Sequence, residues 1–299
     1  MPSGVERSSS GIAYLLIALA ALCWSGNHVV GRAIAGHVPP MAISTARWLV
    51  PALIVWPFAR NHLREDWPAI RAHWRALVFL ALSGGALFGA LQYVGLQYTT
   101  AINVSVFNSL APVLIVAAGA LLFRDGIALR QVLGIAVSLV GVLAIVSKGS
   151  AENLLGLELN WGDLIIIFNM GVWAVYSVYL RRKPPIHWLS FMFVFAAIAG
   201  LTTLPFWVWE HARGLVLQPT ALTAVALIYV SIFPSLVAYV CWTRGVELIG
   251  ANRAGVFLHL VPVYSAVLAS ALLGEELGVH HVLGFSLILA GVWLAARKP

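Results

Sequence analysis

The first long apolar stretch carries a group of residues with chemistry to offer. Trp24 precedes Asn27 by three positions, His28 by four and Gly31 by seven, so all four share one face of a helix. A polar face turned to lipid is costly, so this one should look into protein or a wet cavity. Similar stripes recur downstream: Gly89, Gln92 and Tyr93; Ser105, Asn108, Ser109 and Pro112; Asn169, Trp173 and Tyr176; Ser235, Tyr239 and Trp242; Gly255, His259 and Pro262. Amides can exchange hydrogen bonds with an amino or carboxylate group, and indole and phenol rings supply apolar and π surface. Any one of these residues also reads as interhelical packing; their recurrence points to a cavity. Pro112 and Pro262 fall mid-span, where each removes a backbone donor and bends the helix, freeing a carbonyl. They read as gating positions or as static kinks.

Other chemistry has no support. There is no G-x-x-x-x-G-K-[ST] phosphate loop, no H-E-x-x-H and no G-x-S-x-G, so nucleotide hydrolysis and hydrolase chemistry are not expected. Cys23 and Cys241 lie in apolar stretches, where a thiol behaves as a small apolar group. No metal, disulfide, cofactor or catalytic residue is expected. The acidic residues stand in loops or near span ends, Asp163 and Glu247 coming closest to the interior. A buried-acid proton relay is therefore disfavoured, leaving His28 and His259 as candidate titrating groups. The expected cavity is polar, uncharged and lined by aromatic rings.

The elements that must position these stripes follow from composition. The chain has 299 residues, of which 61% are hydrophobic and only 10% charged, against about 25% charged in soluble domains. Mean hydropathy is +0.91. A helix needs roughly 20 apolar residues to cross a bilayer, and such runs fall near 12–35, 41–59, 75–97, 102–123, 128–147, 161–181, 188–209, 221–247, 252–273 and 279–296. The short alternating segments of a β-barrel are missing. The expectation is an all-α membrane protein of ten helices. Trp48, Trp67, Trp74, Trp188 and Trp207 read as interfacial anchors. The first span is long and lacks a small-residue cleavage site, so it reads as a retained helix.

A pI near 9.8 might suggest nucleic acid, but the bases gather in alternate loops. Arg7, Arg60, Arg64, Arg71, Arg75, Arg124, Arg130, Arg181, Arg182, Lys183, Arg244, Arg253, Arg297 and Lys298 fall on one side, and Lys148 and Arg213 on the other. The positive-inside rule then puts both termini in the cytoplasm.

Residues 91–148 align without a gap on 241–298, at an offset of 150. Gly95 meets Gly245, Phe107 meets Phe257, Pro112 meets Pro262, Gly134 meets Gly284 and Gly141 meets Gly291. Earlier parts match more loosely, Trp24 with Trp173 and Pro57 with Pro205. The organisation expected is a tail at 1–10, a first repeat at 11–148, an extracytoplasmic linker at 149–160 and a second repeat at 161–298. Five helices per repeat would invert the second copy relative to the first, as in many secondary carriers.

The segment "CWSGNHVVGRAIAGHVPPMAISTARW", with Trp24, Asn27, Pro39, Pro40 and Arg47, resembles the opening of the EamA-type repeat of the drug/metabolite transporter superfamily. "LVPVYSAVLASALLGEELGVHHVLGFSLILAGVWLA", with Pro262, Gly274, Glu275, Gly284 and Gly291, resembles its end. The first copy departs from the pattern at Phe123–Arg124–Asp125. The resemblance implies ten helices with cytoplasmic termini and a cavity lined by spans one, three, four, six, eight and nine. Within the superfamily the chain looks most like bacterial exporters of aromatic and other amino acids. That implies a multi-pass protein of the bacterial inner membrane with amino acids and the lipid bilayer as partners, and neither nucleic acid nor an ATPase subunit. Carriers of nucleotide sugars or drugs share the fold, and a non-transporting scaffold or receptor is the remaining alternative class.

Overall fold

The computed structural model describes residues 4–34, 36–99, 104, 107–147, 150, 152, 160–273 and 278–296. Its description excludes the side chains of 4–10, 28, 29, 32, 33, 146, 269, 272, 273 and 296. The helices are α1 (Gly4–Ala33), α2 (Pro40–Ala72), α3 (Trp74–Tyr98), α4 (Ala111–Phe123), α5 (Leu129–Val146) and α6 (Trp161–Tyr179). They continue as α7 (Trp188–Ala212), α8 (Ala221–Ile249), α9 (Ala251–Val256), α10 (Leu260–Leu273) and α11 (Val279–Ala296). By length and composition five of the described helices can cross a membrane: α2, α3, α6 with the turn that follows it, α7 and α8. Gly11–Asn27, Ala111–Phe123, Leu129–Ile145 and Val279–Ala295 are shorter apolar helices. Leu15, Leu53, Phe58, Leu121, Leu129 and Val225 project outward, the apolar exterior a bilayer solvates.

Helix ends are closed by polar side chains. Pro39 and Pro40 start α2, and the Glu210 carboxylate at the end of α7 accepts from the Met41 amide at 3.0 and 3.2 Å. A neighbouring helix thus supplies the cap that α2 lacks. Asn160 and Asp163 form a reciprocal capping box at the start of α6. The Thr99 hydroxyl donates to Asp163, tying the end of α3 to it.

The repeat seen in the sequence is a geometric repeat. A Cβ at Gly95 would stand 2.7 Å from Ile166 and 3.4 Å from the Gly162 carbonyl; one at Gly245 would run into Ile17 and stand 3.5 Å from the Ala13 carbonyl. The contact between α3 and α6 is therefore made again between α8 and α1. In α5 and α11, Gly134 faces Gly291 and Gly141 faces Gly284, with Cβ-to-carbonyl distances of 2.6 Å from the first of each pair. Residue numbers rise on one helix as they fall on the other, so these equivalent helices run antiparallel. Exchanging the copies turns one glycine contact into the other, which is the behaviour of a two-fold axis.

Two features were not legible in the sequence. Ala81–Leu87 in α3 and Ser231–Val237 in α8 are π-helical, again 150 residues apart. Each widens its helix by a residue per turn, a feature concentrated at functional sites. The fourth and ninth spans are also interrupted. Residues 109–110 form a turn before α4, and a 3-10 turn at Phe257–His259 separates α9 from α10. Pro112 and Pro262 thus stand at the start of a second helical piece, just after the break.

Candidate binding cavity

A cavity opens where these interruptions meet. Trp24 and Asn27 reach it from α1, Arg47 from α2, Phe88 and Gln92 from α3, and Met170 and Trp173 from α6. Asn108, Ser109 and Ala111 line it at the break before α4, and Leu258, Val261 and Pro262 at the break before α10. Of the residues on the sequence stripes, Trp24, Asn27, Gln92, Asn108, Ser109, Trp173 and Pro262 are brought together here. Pro112 is buried beside Ala111 but is not a lining residue. The His28 side chain and Ser105 lie outside the described residues.

The remaining site residues stand one layer back. Tyr93 donates to Asn27 Oδ1 at 3.0 Å. Asn169 donates to the Phe88 carbonyl at 3.1 Å and to Gln92 Oε1 at 3.2 Å. His259 donates from Nε2 to the carbonyl of its repeat partner Ser109 at 2.9 Å, and Nδ1 meets the Ser138 hydroxyl. Both ring nitrogens are thereby engaged. Each of these groups orients a wall residue and is absent from the wall itself.

Tyr176, Tyr239 and Trp242 form an aromatic plug with Trp24 and Trp173. Ring centroids lie 5.1 Å apart for Trp24–Trp173, 5.6 Å for Trp24–Trp242 and 5.1 Å for Trp173–Tyr176. The first two pairs are edge-to-face, an arrangement that contributes about 0.5–1.5 kcal/mol per pair beyond simple burial. The plug lies toward the helix ends that carry Arg181 and Arg244. Ser177 Oγ and Trp242 Nε1, both on that side, are buried without a hydrogen-bond partner. The π segments fasten the plug: Tyr239 donates to the Gly84 carbonyl and Trp24 to the Pro234 carbonyl at 3.0 Å. Gly84 and Pro234 are equivalent positions of the two copies.

Trp48 corrects an expectation. It is fully buried, not interfacial; its indole donates to the Gly85 carbonyl at 3.0 Å and its ring stands 4.8 Å from that of Tyr239. Trp67, Trp74 and Trp188 are exposed as anchors should be. The cavity also takes residues from the second helix, where the family pattern implied the eighth. Helix α8 acts from behind, through Pro234 and Ser235.

Arg47 entered the sequence reading only as part of the family motif, with no place in the cavity. It is 2% exposed, and its Nε donates to Ser235 Oγ at 2.9 Å. Its guanidinium carbon lies 5.3 Å from the Trp48 ring and 5.6 Å from that of Tyr93. The cavity is therefore charged, not neutral. The available signal was position: Arg47 stands well inside an apolar span, where an ionisable residue is functional by default.

The sequence profile of the EamA-like transporter family matches twice, over residues 11–147 and 160–297. An "uncharacterized transporter" of Archaeoglobus fulgidus is 30% identical over 95% of this chain and 97% of its own length. The "uncharacterized transporter YyaM" of Bacillus subtilis is 29% identical over 73% of this chain and 72% of its own. A crystal structure sharing 21% identity superposes with a TM-score of 0.75 over 97% of this chain and 96% of that one, which establishes the likeness of fold.

Proposed function

This chain belongs to the EamA-like transporter family, a multi-pass membrane protein, and we propose that it exports amino acids, aromatic and other small ones, by alternating access. One observation carries the reading. The cavity sits where two oppositely directed copies meet, with one end sealed by aromatic rings. Inverted copies give a carrier two related gates around one site. The unpartnered Ser177 Oγ and Trp242 Nε1 at the plug support a second state, in which water or substrate reaches them once the rings part. The walls match the substrate: Trp24, Phe88 and Trp173 for an apolar or aromatic body, Asn27, Gln92 and Asn108 for a polar head.

In this reading the chain crosses the inner membrane ten times as repeats 11–148 and 161–298. The basic helix ends face the cytoplasm with both termini, and 149–160 is the outer linker. The plug then closes the cytoplasmic side. The test is uptake of a labelled amino-acid panel into proteoliposomes, with empty vesicles as control. Saturable flux of phenylalanine, threonine or methionine is expected. Folded protein that moves none of the panel would refute the amino-acid assignment.

A further inference from the structure

We propose that the cavity selects its substrate by the carboxylate, with Arg47 as the anchoring cation and the Gln92 amide as a second donor. This rests on the carrier reading and goes beyond it by naming the recognised group.

Three acceptors around the cavity are occupied. Asn27 Oδ1 takes the Tyr93 hydroxyl, the Ser109 carbonyl takes His259, and the Pro234 carbonyl takes Trp24. Gln92 is oriented by a chain of two bonds. The Phe88 carbonyl requires the Asn169 NH₂ beside it, and that NH₂ also donates to Gln92 Oε1. Gln92 Nε2 is consequently the end left over; it is buried and has no partner, on a residue 3% exposed that lines the cavity.

Arg47 adds the charge. Ser235 Oγ donates to the Val230 carbonyl at 2.8 Å, so its oxygen is available to Arg47 Nε. Ser235 and the Tyr93 side chain can occupy only part of a guanidinium with five N–H donors. No ion pair among the described residues includes Arg47. A buried cation without a counter-ion is costly, and a bound carboxylate supplies what is missing through charge-assisted, fork-like hydrogen bonds. An ammonium group at the same place would meet the like charge of Arg47 and the Gln92 Nε2 donor. The recognised class is a monocarboxylate with an apolar or aromatic body, and the α-amino group is not required.

The experiment compares phenylalanine, 3-phenylpropionate and 2-phenylethylamine, which carry both head groups, the carboxylate alone and the ammonium alone. Binding to the purified full-length protein is read by tryptophan fluorescence and flux in proteoliposomes. Phenylalanine and phenylpropionate should bind with affinities within about tenfold of each other, and phenylethylamine far more weakly. Arg47→Gln should weaken both carboxylates roughly 10- to 100-fold, the scale of a hydrogen bond to a charged group, and should not weaken the amine. Gln92→Leu should weaken the carboxylates several-fold and serves if Arg47→Gln does not fold. Equal binding of amine and carboxylates, or full carboxylate affinity in either folded variant, overturns the proposal; so does failure of both carboxylates to bind. Arg47-dependent binding of phenylpropionate without phenylalanine flux would sustain the proposal and refute amino-acid export.

Discussion

Alanine at Gly141 tests how closely the two equivalent helices α5 and α11 approach. Its Cβ would stand 2.6 Å from the Gly284 carbonyl oxygen and 2.9 Å from the Ile288 nitrogen and Cγ1. Two of these atoms are backbone and cannot swing aside. Carbon–oxygen contacts ordinarily begin near about 3.3 Å, so the helices must part by about 0.7 Å at the crossing. Forcing a methyl into a closely packed interior costs about 1–3 kcal/mol. Gly291, its repeat equivalent, faces the Gly134 carbonyl and the Ser138 backbone nitrogen in the same way, so Gly291→Ala should cost a similar amount. One separation relieves both clashes, and the double variant should fall short of the sum by at least about 0.5 kcal/mol. Equilibrium unfolding in mixed micelles, followed by tryptophan fluorescence, measures all three. A Gly141→Ala variant within about 0.5 kcal/mol of the parent would refute the close approach, and strict additivity would refute the shared separation.

Other expectations follow from the site and the helix ends. Asn27→Ala and Trp173→Ala should each lower amino-acid flux about tenfold or more, Asn27→Ala by removing the acceptor of the buried Tyr93 hydroxyl at a cost of about 1–3 kcal/mol; proteoliposome flux against folded yield is the measurement. Glu210→Ala should destabilise the protein by about 0.5–2 kcal/mol, because the Met41 amide at the start of α2 loses its acceptor; unfolding in micelles reads it. The Asp125 carboxyl is held below the ordinary carboxylate value by hydrogen bonds from Arg181, against a smaller opposing effect of burial. A depressed folded value stabilises the fold above the unfolded pKa of about 3.9, and the gain disappears as pH falls through the folded value. Both partners are partly exposed, so Asp125→Asn should cost less than about 1 kcal/mol near neutrality, and parent and variant should converge as the solution is acidified below about pH 4. Thermal unfolding across pH checks the convergence.

Helix placement was legible because apolar runs of membrane length leave few alternatives, and the offset of 150 was legible because proline and glycine resist chance alignment. The contacts at Gly95 and Gly245 bear out that alignment in three dimensions. Trp24, Asn27, Gln92, Asn108 and Trp173 were found by helical spacing, which places side chains on a face. Spacing does not say how deep a face lies, so Tyr93, Asn169 and His259 turned out to support the wall from behind. The π segments were hidden because a shift of hydrogen-bond register by one residue leaves no mark in composition. Trp48 was misassigned because an indole near a span end suits either an interface or a core; the Gly85 carbonyl, distant in sequence, decides it. Arg47 was visible only as part of a family motif, since its counterparts Ser235 and Tyr93 come from two other helices.

The glycine contact between α5 and α11 is isologous: the same surface occurs on both partners, as in a symmetric homodimer. In a homodimer every substitution is made twice, and an arginine entering a shared central cavity arrives as a pair. Joining the two copies in one chain removes that constraint. Arg47 stands on α2, while the corresponding stretch of α7, Met192–Ala196, contains no base. Fusion thus lets a nearly symmetric frame hold a single charge in its cavity, and with it a substrate whose two ends differ.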